Sequence, residues 1–318
     1  LIEAHVAGGR ATGESTFRFG GAAAGEFTLD VRRASARRLL APWPSVARVV
    51  RGAVDLQLRG RLGRMARGIA RLRISTAQVA HVPVDLVDGR FDWTVSLNGG
   101  RGRVWSRDAE ILVQGGRLRS AIDLAWQDHL SLKVKTHIEA LPLKAIARSS
   151  DLMSPGIDGR IDGEATLQGR NIRSVDDLTG SFQLSLGRAN VISLPIFDDV
   201  IEAILIGELS SPGVGSGTIE GRLARSRILI ERMTIEGAAI QFMIDGAVTL
   251  GGRLDLNATV DIGTLSPHMV ALRMLGSPLG FLTRRMIFLH VGGTMRQPVI
   301  EPRLLDQLEQ ELAISVFR

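Results

Sequence analysis

Hydrophobic and polar residues alternate strictly over long stretches of this chain. Between Leu130 and Ile138, apolar residues and one threonine occupy every second position, while serine, lysine and histidine fill the positions between them. Successive side chains of a β-strand point to opposite faces of a sheet, so each such stretch predicts a strand with one apolar face. The same alternation recurs around Leu56, Leu184 and Leu256. One-sided strands are typical of antiparallel sheets, and we therefore predict a mainly β fold with antiparallel strands.

Three segments depart from this alternation and predict short amphipathic helices. They lie near residues 195–209, 266–275 and 303–315. Pro195 suits the first turn of a helix, and hydrophobic residues follow it at helical spacing. Ser266 is the expected N-cap residue before Pro267 in the second helix, which ends near Gly276. The third helix follows Pro302 and places leucines on one stripe.

A longer unit of sequence recurs along the chain. It consists of an amphipathic strand, a leucine-containing connector and a second strand that ends at or next to glycine. The paired strands fall at residues 27–31 and 56–60, at 130–134 and 165–169, and at 256–262 and 287–293. Supersecondary units that repeat in this way stack on their neighbours, so we predict an elongated sheet.

Composition narrows the expected partners. The net charge is +6, and arginine carries nearly all of the positive charge because Lys133, Lys135 and Lys144 are the only lysines. Arginine attracts phosphates, but here it is scattered through every predicted strand, which favours a compositional bias over a phosphate-binding patch. Aromatic residues make up 4% of the chain and tyrosine is absent. A base-stacking surface usually needs more rings, so we expect no nucleic-acid partner.

The sequence shows no catalytic or cofactor signature. The chain contains no cysteine, which excludes disulfides, thiolate metal sites and cysteine nucleophiles. No phosphate-binding glycine loop with lysine, His-Glu-x-x-His or Gly-x-Ser-x-Gly motif occurs. The histidines are dispersed, and His129 and His137 lie too far apart on one strand to share a metal. The adjacent carboxylates at 176–177 and 198–199 are the candidate acidic pairs, but neighbours on a helix do not face each other, and we expect Asp198 and Asp199 on the solvent side of their helix. We predict no enzyme, no cofactor and no metal.

The second half of the chain resembles a known family. Residues 217–262 form a run of short strands that return through glycines, residues 291–299 end in a Gly-Thr-Met-Arg-Gln-Pro-Val strand, and residues 194–197 form a Leu-Pro-Ile-Phe helix start. These features resemble the C-terminal region of the AsmA-like family of bacterial envelope proteins, which includes the TamB and YhdP branches. The resemblance implies a long, curved antiparallel sheet, a repeating β-groove with an apolar inner face. It also implies a role in lipid traffic or homeostasis between the inner and outer membranes.

The resemblance sets the expected domains and localisation. We expect an N-terminal β-repeat segment over residues 1–125 and an AsmA-like β-groove region over residues 126–318. The family implies a periplasmic protein that an N-terminal helix tethers to the inner membrane, and that helix is not in this sequence. The chain starts within a strand pattern at Leu1, so we expect a piece of a longer protein. The most apolar stretch, 269–282, contains Arg273 and Pro278 and predicts no membrane span.

The apolar strand faces are the remaining candidate for a site. The pattern alone favours neither an ordinary sandwich core nor an open groove for acyl chains, and the resemblance favours the groove. The predicted lipid-groove residues are Val54, Leu56, Leu58, Leu130, Leu132, Val134, Phe182, Leu184, Leu186, Ile240, Phe242, Ile244, Leu254, Leu256 and Val260.

Three functions are consistent with these patterns. The first is a lipid-binding segment that supports phospholipid transport or outer-membrane homeostasis, with phospholipid acyl chains as ligands and membrane proteins as further partners. The second is a structural or assembly scaffold whose strand edges pair with outer-membrane proteins. The third is binding of the arginine-rich surface to anionic membranes.

Overall fold

The described part of the chain is almost entirely β-strand. The computed structural model describes residues 2–18, 24–39, 41, 47, 50–79, 82–145, 158–189, 215–237, 240–262, 286–295 and 297–303. The chain divides into a first unit, Leu1–Ser150 with Ile161–Ser181, and a second unit, Asp151–Arg160 with Phe182–Arg318.

The first unit is built from long strands. Its strands are β1 (Ile2–Val6), β2 (Gly9–Arg18), β3 (Ala24–Ser35), β4 (Val50–Leu62), β5 (Met65–Val79), β6 (Val82–Ser96), β7 (Gly102–Val113), β8 (Gly116–Trp126), β9 (Leu130–Pro142) and β10 (Arg160–Gly169). Each strand from β1 to β9 pairs antiparallel with the next, and β9 pairs with β10. A short helix α1 (Ala36–Leu39) follows β3, and a 3-10 helix (Val175–Asp177) precedes β11 (Leu178–Ala189), which continues into the second unit.

The second unit has the same antiparallel construction. Its further strands are β12 (Gly215–Ala224), β13 (Arg227–Glu236), β14 (Ile240–Thr249), β15 (Leu254–Ile262), β16 (Met286–Thr294) and β17 (Gln297–Pro302). Each of these strands pairs antiparallel with the next. The register sets Phe242 opposite Val260 and Leu256 opposite Val291, and all of these side chains are buried. One face of β14–β16 is therefore a packed core.

Tight turns join several of these strands. Ala7–Gly8 links β1 to β2, Gln114–Gly115 links β7 to β8, and Arg225–Ser226 links β12 to β13, and all of these residues have positive φ. Paired positive φ angles define the type I′ turn, whose twist matches that of antiparallel strands. The turns therefore favour the observed meander of neighbouring strands.

The internal repeat is visible in atomic detail in the first unit. Arg33 on β3 has a φ of 54° and donates its backbone N–H to Asp55 Oδ1 on β4 over 2.8 Å. Ala140 on β9 has a φ of 50° and donates its backbone N–H to Asp162 Oδ1 on β10 over 2.7 Å. In both cases donor and acceptor are 22 residues apart. The strand pairs β3–β4 and β9–β10 thus end in the same backbone irregularity, fixed by the same aspartate.

The mainly β, antiparallel fold is confirmed by the seventeen strands of the described residues. The predicted helices 195–209 and 266–275 lie outside the described residues, and so does 303–315 except for Arg303, which is not helical. The domain division at residue 125 stays a prediction. Among the described residues, no helix combines the length and the apolar character that a membrane crossing requires.

Candidate functional site

Cross-strand register gathers apolar side chains on one face of the first unit. Pairing aligns residues of four successive strands in one row, Leu29, Leu58, Ala70 and Phe91. The neighbouring row contains Val31, Leu56 and Leu72. On β8 and β9 the opposed pairs are Leu124 with Leu132, Ile122 with Val134, and Leu118 with Ile138. Trp93, Val104 and Leu124 pair across β6, β7 and β8 and connect the two groups, so the apolar residues form one surface, which we call the apolar face.

The apolar face is covered at one end. Ala11, Val31 and Ala34 form a fully buried cluster there, and Leu39 of α1 packs against it. Val54 is buried at the same end, directly opposite Ile74. Helix α1 therefore caps the apolar face at the end of β3 and the start of β4. The opposite end of the face lies at the β4–β5 turn.

Beyond the cap, the apolar face is only half-buried. Four of its side chains are partly exposed, those of Leu56, Leu58, Leu132 and Val134, and Leu130 is 39% exposed. An ordinary sandwich core would bury such leucines almost completely. This stretch of the sheet therefore presents accessible hydrocarbon while its opposite face carries charged side chains.

The predicted groove residues of the second half differ in exposure. On β11, Phe182 and Leu184 are half-buried and Leu186 is buried. In the second unit, the five residues Phe242, Ile244, Leu254, Leu256 and Val260 are all buried, and Val260 is 0% exposed. The side chain of Ile240 lies outside the described residues. The accessible part of the predicted set is thus concentrated in the first unit and on β11.

Two aromatic residues of the apolar face, Phe27 and Trp93, were not among the predicted groove residues. The rings of Phe27 and Trp93 lie 5.9 Å apart between centroids, on strands β3 and β6. They meet over Gly60, where an added Cβ would lie 2.7 Å from Trp93 and 2.8 Å from Phe27. Gly60 pairs with Gly68, which in turn pairs with Trp93. Gly60 leaves the space that the rings occupy, whereas a Cβ at Gly68 would meet the backbone of Arg59. Gly60 and Gly68 occupy apolar-face positions of their strands, but glycine has no side chain, so the alternation of apolar residues did not indicate a site for the rings there.

A small polar spot interrupts the same surface. Ser106 and Ser120 are buried on β7 and β8. The hydroxyls of Ser120 and Thr136 lie 3.0 Å apart and hydrogen-bond across β8 and β9. Because buried hydroxyls that pair with each other satisfy their own hydrogen-bonding needs, this spot fixes strand register and requires no ligand.

Ion pairs between neighbouring strands stabilise the opposite, polar face. Arg103 on β7 donates two hydrogen bonds to Asp123 on β8, over 2.8 Å to Oδ1 and 2.6 Å to Oδ2. The hydrogen bond and the positive charge of Arg103 lower the pKa of Asp123, and the same contact raises the pKa of Arg103. The Arg103 guanidinium also lies 5.2 Å from the centroid of Trp105. These contacts hold β7 to β8, and each oxygen of the Asp123 carboxylate accepts one of the two hydrogen bonds.

At residues 176–177, the Asp177 carboxylate caps the short 3-10 helix, and Asp176 contributes its backbone N–H. The Asp177 carboxylate accepts hydrogen bonds from the backbone N–H groups of Arg173 and Ser174, and the Ser174 hydroxyl accepts one from Asp176. The backbone hydrogen bonds from Arg173 and Ser174 lower the pKa of Asp177. Such a capping box satisfies the free N–H groups of a helix start. The other pair, at 198–199, lies outside the described residues.

Within the described part of the chain, no three histidine or acidic side chains converge as metal ligands would. Comparisons with known proteins provide no further assignment: no protein-family model matches the chain, and neither a curated protein nor a solved structure matches it significantly. The chemistry of the described residues is therefore that of an apolar surface backed by a charged one.

Proposed function

We propose that the apolar face of the first unit binds the acyl chains of phospholipids. The observation that carries this proposal is the contiguous, half-exposed hydrocarbon surface of β3–β9. Soluble proteins rarely leave large contiguous apolar patches uncovered unless the patch receives a ligand, a membrane or a partner. The capped end at Val31 and Val54 closes one side of this surface.

The strength of such binding follows from area alone. Each methylene group removed from water contributes about 0.8 kcal/mol. An acyl chain that lays roughly ten methylene groups on the face, with half of their surface covered, gains about 4 kcal/mol before the loss of its freedom is counted. Two chains double this gain to about 8 kcal/mol, so the attraction of a phospholipid to the face needs no polar recognition. Non-directional contacts of this kind allow a lipid to slide along the strands.

The lipid contacts belong to the first unit for a physical reason. Phe242 and Val260 in the second unit have essentially no surface left for a ligand, whereas Leu58 and Leu132 in the first unit do. Burial of β14–β16 supports a structural role for the second unit. The proposed acyl-chain contacts are therefore Leu56, Leu58, Leu130, Leu132 and Val134, together with Phe27, Phe91 and Trp93.

The wider role proposed is that of an AsmA-like envelope protein. Repeated one-sided strands and the glycine-rich strand endings between residues 217 and 299 support this family assignment. The family assignment brings three further proposals: lipid traffic between bacterial membranes, a periplasmic location and tethering by an upstream helix. The alternative, a scaffold that pairs strand edges with outer-membrane proteins, requires no lipid.

A pair of neighbouring substitutions tests the proposal. Leu58 lies on the apolar face and Gln57 on the polar face of β4. Leu58→Arg introduces a charge into the lipid surface, whereas Gln57→Arg adds the same group to an exposed position opposite Asp30. The purified chain is extracted with organic solvent, and phospholipid per protein is measured by mass spectrometry. Circular dichroism checks that both variants fold.

The expected result is phospholipid in the wild type and in Gln57→Arg, with clear loss in Leu58→Arg. Equal lipid content in both variants would refute acyl-chain binding at this face. Absence of lipid from a folded wild type, together with retained binding of an outer-membrane protein by both variants, would favour the scaffold.

A further inference from the structure

A depression lined by arginines lies at the β4–β5 turn, at the end of the first unit opposite to the α1 cap. Its volume is about 800 Å³, and Arg61, Arg64 and Arg67 line it. Leu62 and Met65 flank the turn and line the same depression. It belongs to the polar face and to the end of the strands, so it is distinct from the apolar face.

The charges in this depression are unbalanced. Strand register sets Arg61 directly opposite Arg67, an arrangement of like charges that costs stability in a sheet. Of the described residues that line the depression, Glu26 is the only acid, and its carboxylate lies 2.9 Å from Arg61. One carboxylate against three guanidinium groups leaves the site positively charged. A bound anion would relieve the repulsion that the register creates.

Apolar side chains border the same charges. Met65 pairs with Ser96, and the next residue, Leu97, is 66% exposed at the β6–β7 turn. Guanidinium groups near an exposed leucine and a half-buried methionine match the boundary between phosphate head groups and acyl chains in a bilayer. No aromatic ring is among the described residues that line the depression, so base stacking has no platform there.

We infer that this depression binds the phosphate of an anionic phospholipid head group and docks the β4–β7 turns onto a membrane surface. Arg64 and Arg67 contact the phosphate, Arg61 divides its charge between Glu26 and the lipid, and Leu97 enters the head-group boundary. Phosphate accepts the forked hydrogen bonds that guanidinium donates. This inference stands independently of acyl-chain binding at the apolar face.

Vesicle binding by the full chain tests the inference. Vesicles of phosphatidylcholine with phosphatidylglycerol are compared with phosphatidylcholine alone by co-sedimentation. The variant Arg64→Gln/Arg67→Gln removes two positive charges at a turn. The control Arg225→Gln/Arg227→Gln removes the same charge at the β12–β13 turn. All of these arginines are exposed, so both variants should fold as the wild type does.

The first variant should weaken binding to the anionic vesicles roughly 30-fold, and the control by less than about threefold. Glu26→Gln frees Arg61 and should tighten binding roughly fivefold. High salt should release the wild type. A folded Glu26→Gln protein that binds no more tightly would contradict the role assigned to Arg61.

Three results would overturn the inference. If both double variants lost the same affinity for anionic vesicles, the net charge of the protein, and not this depression, would account for binding. If the protein bound equally well to vesicles with and without phosphatidylglycerol, the depression would not recognise an anionic head group. Binding of inorganic phosphate or duplex DNA that the first variant abolishes, without binding to anionic vesicles, would assign the arginines to a soluble phosphate or to nucleic acid.

Discussion

Replacing Asp55 by alanine should destabilise the first unit at its bulge. The substitution removes the carboxylate that accepts the Arg33 N–H over 2.8 Å. Hydrogen bonds to charged groups contribute about 1.5–3 kcal/mol, and the lower part of this range applies because the bond is exposed. Arg33 also has a φ of 54°, which costs about 1–2 kcal/mol for a residue with a side chain. The carboxylate offsets this strain, so we expect a loss of about 1–2 kcal/mol in unfolding free energy.

The repeat supplies an internal duplicate of this experiment. Asp162→Ala removes the equivalent bond to the Ala140 N–H, and the expected loss is the same. Asp55→Asn keeps a carbonyl acceptor and should lose less than about 1 kcal/mol. Gln57→Ala, two residues along the same exposed face, is the control and should change stability by less than about 0.5 kcal/mol.

Urea unfolding followed by circular dichroism gives the free energies, and native-state hydrogen exchange locates the change. Exchange of the Arg33 amide should accelerate in Asp55→Ala, and that of the Ala140 amide in Asp162→Ala. If Asp55→Ala lost no more than Gln57→Ala, or if the Arg33 amide exchanged at the wild-type rate, the stabilising role of the aspartate would be refuted.

Three further outcomes follow from the described contacts. Phe242→Ala should lower the unfolding free energy by about 3–5 kcal/mol, whereas Leu130→Ala, at a partly exposed position, should cost about 1 kcal/mol or less, both measured by urea unfolding. Trp93→Phe removes an indole N–H that is buried without a partner among the described residues, so stability in thermal unfolding should stay within about 1 kcal/mol of wild type. Hydrogen bonds lower the pKa values of Asp123 and Asp177 below their ordinary value of 3.8. Both carboxylates therefore stabilise the fold at a pH above 3.8, and this stabilisation is lost as the pH falls below that value. Acid unfolding of Asp123→Asn should therefore depend less on pH; an unchanged pH profile would contradict the assignment.

Much of the fold follows from side-chain alternation. The stretch from Leu130 to Ile138 lies within β9, and the repeat copies at 27–31 with 56–60 and 130–134 with 165–169 fall on strand pairs that the structure contains. Alternation specifies strand direction and face because the period of a strand is two. It also predicts that Leu56 and Leu58 share one surface, because they lie two positions apart on the same strand.

Other features depend on tertiary packing. The sequence around Leu132 and the sequence around Val260 show the same alternation of apolar and polar residues. In the structure, however, Leu132 is half-exposed and Val260 is fully buried. Coverage depends on residues distant in the chain, which a local pattern does not encode. Arg61, Arg64 and Arg67 are close in sequence, but only the pairing of β4 with β5 sets Arg61 directly opposite Arg67 and turns them into one depression. Register, not composition, determines such patches.

Site-specific photocrosslinking along β9 tests the central claim most directly. A photoreactive residue is placed in turn at each position from Leu130 to Lys135, and the folded protein is irradiated with labelled phospholipid. Because neighbouring side chains face opposite sides of the sheet, acyl-chain binding predicts crosslinks at Leu130, Leu132 and Val134 and none at the positions between them. Crosslinks of equal yield at all six positions, or at none, would contradict lipid binding on the apolar face.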